Sequence, residues 1–340
     1  MKKVVVPIML VLLLALSACG SKAANEGAAN APAGNGAANG AAGNEAASGS
    51  AASGSSASGG NASGNAAEAP SGTVTYPSEN GPVEVPAHPQ RIVGLTNAPN
   101  VVSLGGTLVG VDEWTNKNPL FTDKLKGVQI VSENDLEKII ELQPDLIIAG
   151  SYMKNLDKLK EIAPTVVYTW GKLDYLSQQV EIGKLLGKEP EARAWVEDFK
   201  ARAAETGRAI KAKIGEQATV TVFETDNKDF YVFGNNWARG TELLYQAMGL
   251  SMPENVKKDA LGPGYYTLSP EVLSQYAGDY VVLSRSSASD NAIMKTSAWT
   301  NIPAVKNNRV IEIDTEASSY SDPTTLEYLL GIFKKGFLGR

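Results

Sequence analysis

Few residues in this chain could carry out covalent chemistry. It has 340 residues with one histidine, His88, and one cysteine, Cys19. A Ser-His-Asp hydrolase would have to rest on His88, which stands between Ala87 and Pro89 and is expected to be exposed and inert. No Gly-x-Ser-x-Gly elbow occurs. A lone cysteine and a lone histidine also exclude a disulfide framework, a zinc ribbon and a His-rich metal site. Gly105-Gly106-x-x-x-Gly110 lacks the lysine and the spacing of a phosphate loop. Asp226-Asn227-Lys228-Asp229 lacks the glycine and terminal glutamate of a calcium loop. What remains is recognition by donors and rings. Eight arginines lie in residues 73–340; Arg193, Arg202 and Arg208 share one helical stretch, and Arg91 and Arg309 adjoin strand starts. Arg239 and Arg285 are left as the arginines placed to reach a cleft.

The surrounding sequence falls into unlike segments. Lys2 and Lys3, the apolar run Val4–Leu16 and then Ser17-Ala18-Cys19 read as an export signal over residues 1–19, too short to span a bilayer as a helix. In residues 20–72, 47 of the 53 positions are Ala, Gly, Ser or Asn, so nothing there can be buried against its ordering entropy. A flexible tether of that length has a span of about 40 Å. The folded part is therefore 73–340. The whole chain carries 37 acidic against 31 basic residues and a net charge of −6, which argues against a nucleic-acid binder.

Within the folded part, short β-branched runs alternate with helical periods. Residues 91–95, 108–111, 145–149, 164–168, 218–223, 229–233, 279–283 and 309–313 read as strands. This alternation predicts an α/β fold of two Rossmann-like lobes with mostly parallel central sheets. The lobes are expected at 73–174 and 215–340. The connection, 175–214, has no strand signal; Pro190 suits a first helical turn, and 191–214 would span roughly 35 Å as a helix. A faint internal echo supports paired lobes. Glu137 stands eight residues before Asp145, and Glu271 eight before Asp279, each ahead of a buried strand. Ser269-Pro270 looks like a cap for one helix, and Asn134 or Asp135 for the other. Either the glutamates only complement helix dipoles, or they mark equivalent surface points on the two lobes.

Several motifs together resemble a known family. They are the small residues ending on Cys19, Val85–Val93, Leu104-Gly105-Gly106, Leu136-Glu137-Lys138-Ile139 before Pro144-Asp145-Leu146-Ile147-Ile148, the stretch Tyr231–Gly240 with Leu244–Leu250, and Asp322–Leu326. Nearly all of 80–338 is similar to the helical-backbone (class III) substrate-binding lipoproteins of ABC importers. Within them it resembles the ferric-hydroxamate siderophore-binding lipoproteins of Gram-positive bacteria. The resemblance implies two lobes bridged by one long α-helix, with the ligand in the cleft between them. It implies Cys19 as the diacylated N-terminus of the mature chain, anchored on the outer face of the cell membrane. Trp237 and Arg239 match the Trp-x-Arg pair that holds the ferric ligand; Tyr231, Trp170 and, more loosely, Tyr152, Tyr320 and Arg285 are further ligand candidates. Glu137 and Glu271 match the glutamates that meet arginines on the permease subunits.

The chemistry of such a ligand fits the composition. A ferric tris-hydroxamate has little net charge and an aliphatic periphery, so aromatic walls and one or two donors suffice, and the fixed fork of an arginine supplies them. A tris-catecholate or citrate-type complex would call for a basic cluster that the sparse arginines do not provide. Iron is then held only by the siderophore, with no cofactor and no protein metal site, and the chain is expected to act as a monomer and not as an enzyme. A catecholate or citrate receptor, or a haem or cobalamin receptor on the same scaffold, is the alternative. A secreted enzyme is the remote one.

Overall fold

Each parallel strand starts at or within a residue or two of a β-branched run. In the computed structural model, residues 72–225, 230–286, 288–289 and 292–339 are described; Cys19 and the tether lie outside them. The chain enters through an antiparallel hairpin, β1 (Thr73–Ser78) and β2 (Gly81–Pro86). Then β3 (Ile92–Gly94), α1 (Ala98–Ser103), β4 (Leu108–Val111), α2 (Glu113–Lys117), β5 (Gln129–Ile130), α3 (Leu136–Glu141), β6 (Leu146–Gly150), α4 (Leu156–Ile162) and β7 (Thr165–Tyr168) alternate. Their strands form one all-parallel sheet ordered β5-β4-β3-β6-β7. β3 and β6 at its centre are wholly apolar and buried, as a parallel sheet covered on both faces requires.

Two helices follow, α5 (Tyr175–Leu185) and α6 (Glu189–Ile214), before the second lobe begins. That lobe contains β8 (Val220–Thr225), β9 (Phe230–Phe233), a π-helix at Glu242–Ala247, α7 (Glu254–Ala260), β10 (Tyr265–Leu268) and a 3-10 turn at Pro270–Val272 running into α8 (Leu273–Tyr276). It continues through β11 (Tyr280–Arg285), α9 (Ser297–Thr300), α10 (Pro303–Lys306), β12 (Val310–Asp314) and α11 (Pro323–Leu338). The sheet order is β10-β9-β8-β11-β12, with the β8–β11 and β11–β12 pairs parallel and the β8–β9 and β9–β10 pairs antiparallel. The mostly parallel two-lobed architecture agrees with the reading from sequence.

The long helix has 26 residues, about 39 Å of axis at 1.5 Å per residue. Pro190 sits in its first turn, acids Glu189 and Glu191 open it, and Lys211 and Lys213 lie in its last turn, as the helix dipole favours. Its buried stripe, Ala192, Val196, Phe199, Ala203, Gly207 and Ile210, has helical spacing. Phe199, Ala203 and Ile210 join the core of the second lobe, while Ile182 and Leu185 of α5 belong to the core of the first. Gly207 is required by space: a Cβ there would lie 2.1 Å from the Met248 carbonyl oxygen. Glu327 of α11 accepts from Trp195 Nε1 at 3.1 Å and Arg202 Nη1 at 2.8 Å, pinning the two helices together.

The echo between the lobes has a physical basis. Asp145 accepts from the backbone N–H of Gln90 and Arg91 at 2.7 and 2.8 Å, tying the start of β3 to β6. Asp279 accepts from Thr219 N–H at 2.8 Å and so ties the start of β8 to β11. The two aspartates do the same work in their two sheets. The capping expectation for α3 is corrected: Asp135 occupies the cap position, yet its carboxylate turns back to the N–H and hydroxyl of Ser132, both at 2.7 Å. Ser269 likewise makes no side-chain cap bond. His88 is half-buried beside Gly187 and not exposed as expected, with its Nε2 out of contact with solvent.

Candidate functional site

Loops that follow the carboxyl ends of strands in both sheets converge on one cleft of about 710 Å³. The first lobe lines it with Thr96 and Asn97 after β3, Tyr152 after β6, and Thr169 and Trp170 after β7; the second contributes Asn235–Arg239 after β9 and Ser319–Asp322 after β12. This is where open α/β sheets hold ligands, because strand ends splay and leave a crevice.

The turn carrying Trp237 and Arg239 is held in an uncommon backbone conformation. Ala238, Arg239 and Gly240 have φ of 56°, 53° and 76°, and left-handed non-glycine residues of this kind persist only where their surroundings over-determine them. Those surroundings are visible. Arg239 N–H donates to the Ser318 carbonyl at 2.8 Å, the Thr241 hydroxyl accepts from Trp237 N–H at 3.0 Å, and Glu242 accepts from Ala238 N–H at 3.1 Å. Gly240 is needed for φ and for room, since a Cβ there would lie 2.6 Å from the Phe333 ring. The π-helix that follows is a rare type of turn, frequent at functional sites.

Trp237 packs against Tyr265, ring centroids 5.2 Å apart, over Gly264, where a Cβ would come within 2.3 Å of the indole. It also meets Trp170 of the other lobe edge-to-face at 4.6 Å, a favoured aromatic geometry. Trp170 is 64% and Tyr152 69% exposed, so both offer open ring faces. Tyr152 folds over Gly150 and also lines a smaller cavity of about 450 Å³. Tyr320 lines the cleft and crosses between lobes, its hydroxyl 3.0 Å from Thr115 Oγ1. Burial, with the charge of Asp112 nearby, pushes its phenol well above the ordinary value.

Arg239 is not the free fork expected from sequence. Its Nε and Nη2 bond Glu224 of β8 at 2.8 and 3.1 Å, and its guanidinium lies 5.3 Å from the Phe233 ring centroid. Among the described residues Nη1 makes no hydrogen bond. Tyr231 shares a strand face with Phe233 as the even offset implies, both packing on one core cluster while Phe230 and Val232 pack on another. It does not line the cleft: its ring lies behind the wall, 6.2 Å from Tyr265. Arg285 is outside the cleft too. Its Nη2 bonds Glu312 of the edge strand β12 at 2.6 Å. Trp299 is 3% exposed and stacks on Phe230, away from the cleft lining.

Sequence reasoning missed the polar floor. Asp174, Glu242 and Asp322 line the cleft alongside Arg239. Burial raises the Glu242 and Asp322 carboxyls above their ordinary range, although each accepts backbone hydrogen bonds. Asp174 is pulled the other way: burial would raise it, but bonds from Ser177 and Leu176 leave it lowered. The missed signal was capping: Asp174 and Asp322 are the N-caps of α5 and α11, and Glu242 opens the π-helix. Among the described residues no cluster of three or more acidic, histidine or cysteine side chains could hold a bare metal ion.

Glu137 and Glu271 are both exposed, in the first turns of α3 and of the 3-10 turn before α8. Neither forms an ion pair among the described residues. No described helix is long and apolar enough to cross a membrane.

Comparison with known proteins places this geometry. A family profile described as periplasmic binding protein matches residues 95–317. The iron(3+)-hydroxamate-binding protein FhuD of Bacillus subtilis is 36% identical over 263 residues, which cover 75% of this chain and 83% of that protein. The structure of FhuD2 from Staphylococcus aureus with bound ferrioxamine B superposes with a TM-score of 0.70 at 35% identity, covering 74% of this chain and 99% of that one. The FhuD protein of S. pseudintermedius gives a TM-score of 0.72 at 34% identity, covering 79% and 99%.

Proposed function

The chain belongs to the periplasmic binding protein family, and on that premise we propose that it captures ferric hydroxamate siderophores outside the cytoplasm and delivers them to an ABC importer. One observation carries the reading. The cleft between the lobes is walled by Trp170, Trp237 and Tyr152 and presents a single arginine, Arg239, which suits a low-charge complex with an aliphatic rim and a few oxygen acceptors. Iron arrives and leaves inside the siderophore, and the protein converts nothing. Trp237, Arg239, Trp170, Tyr152 and Tyr320 hold the complex; Tyr231 backs the wall.

Intrinsic fluorescence titration tests this directly. Two tryptophans in contact at the mouth of the cleft should be quenched by ferric tris-hydroxamates and not by tris-catecholate, citrate-type, haem or cobalamin ligands. Quenching by haem with an iron–tyrosinate absorbance band would replace the reading with direct ligation by a tyrosine. Quenching by cobalamin alone would make it a corrinoid receptor.

The site of action is the outer face of the cell membrane, through lipid on Cys19. Two acyl chains suffice for stable anchoring where one is marginal. A Cys19→Ala variant should therefore appear in the medium with unchanged siderophore affinity. Retention of that variant on membranes after a salt wash would defeat the anchor.

A further inference from the structure

Resting on the hydroxamate reading, we propose that Glu224 is the residue that sets the charge selectivity of the cleft, by holding Arg239 as a neutralised donor. Glu224 sits near the carboxyl end of β8 and does not itself line the cleft. Both its oxygens are engaged by the guanidinium, at 2.8 and 3.1 Å, and the pair is screened from water, with side-chain exposures of 20% for Arg239 and 15% for Glu224. Glu224 is anchored in turn: Ser284 donates to its Oε2 at 2.7 Å, and the Ser284 and Thr315 hydroxyls are 2.9 Å apart. The chain Thr315–Ser284–Glu224–Arg239 runs from the end of β12 across β11 and β8 and ends in the cleft.

Two consequences follow from charge and geometry. The guanidinium has five N–H donors and Glu224 takes one on Nε and one on Nη2, so the two on Nη1 and the second on Nη2 stay available to ligand oxygens, and discrimination rests on charge rather than on the number of donors. With its charge matched by Glu224, the cleft is lined by the carboxyl groups of Asp174, Glu242 and Asp322 and by no lysine. A neutral or cationic complex meets one good donor and no repulsion. A trianionic complex meets no net positive charge in a partly desolvated site, where like-charge contacts are expensive. Glu224 is thus a positioning residue that acts through Arg239.

The test compares dissociation constants for a neutral ferric tris-hydroxamate and a trianionic ferric tris-catecholate in the wild type and in Glu224→Gln, with melting temperatures recorded for both proteins. The amide keeps the shape and one acceptor but uncovers the charge on Arg239. Affinity for the neutral complex should change by less than about threefold, while affinity for the trianion should rise by about tenfold or more, the scale expected for exposing one charge at an intermediate dielectric. Ser284→Ala, which loosens the anchor and keeps the carboxylate, should shift the same ratio by about threefold and serves if the Gln variant fails to fold. An unchanged ratio in a folded variant overturns the selectivity role alone. A wild type that fails to bind the hydroxamate overturns the hydroxamate reading, and this inference with it.

Discussion

A Glu137→Ala, Glu271→Ala double variant should fold normally, bind its siderophore with wild-type affinity and lose nearly all iron uptake in cells. Both carboxylates are exposed, neither is in an ion pair among the described residues, and neither lines the cleft. A purely local role would be dipole complementation, worth about 0.3–1 kcal/mol. That role is especially small for Glu271, whose 3-10 turn and four-residue α8 form a short helix. Equivalence between the lobes argues for docking instead: each glutamate precedes a strand entered through an aspartate, Asp145 or Asp279, that ties down a neighbouring strand in the same way. Two carboxylates on matched points of two lobes can meet two arginines of a paired permease and fix orientation as well as affinity. Losing one partner of a desolvated charge pair costs about 2–5 kcal/mol, so at least about a 30-fold fall in uptake is expected at limiting ligand. Normal uptake by a stable, siderophore-binding double variant would leave only the local role.

How much of this was legible depends on what each residue needed from the rest of the fold. Central strands announce themselves because both faces are buried; β4 runs over Leu108–Val111, the same residues as the β-branched run. The hairpin β1–β2 was not legible, since Pro77, Pro82 and Pro86 sit in strands that pair only with each other, where a missing N–H is tolerated. The edge strand β10 was hidden for a related reason: Tyr265, Tyr266 and Thr267 are all exposed and show no alternation. In the site, Trp237 and Arg239 were legible from their spacing within a recognisable stretch. The partnership of Arg239 with Glu224 was not, because it joins two strand ends across the sheet and has no local signature. A carboxylate near the end of the buried run Val220–Phe223 was nonetheless a hint, since a charge in that position needs a partner. Arg285 misled for the mirror-image reason. It too ends a buried strand, but its neighbour β12 supplies Glu312 on the side away from the cleft.

The second large effect separates the two residues of the Trp-x-Arg pair. Trp237→Ala should weaken ferric-hydroxamate binding by about 1–3 kcal/mol, the range for losing an aromatic anchor, with the melting temperature almost unchanged. The indole is only half-buried, and the rings of Tyr265 and Trp170 against which it packs are already exposed. Arg239→Ala should weaken binding by a similar amount and also lower stability. Removing the guanidinium leaves the Glu224 carboxylate with Ser284 as a donor in a site that is mostly shielded from water, and a charge stripped of its partner there costs about 1–3 kcal/mol. The contact with Phe233 goes as well. The two causes can be pulled apart: Arg239→Ala combined with Glu224→Ala should recover most of the lost stability and none of the lost affinity. If the single Arg239 variant melts early yet binds normally, the arginine serves only to hold the turn. If both single variants bind normally, the cleft at Trp237 is not where the siderophore sits.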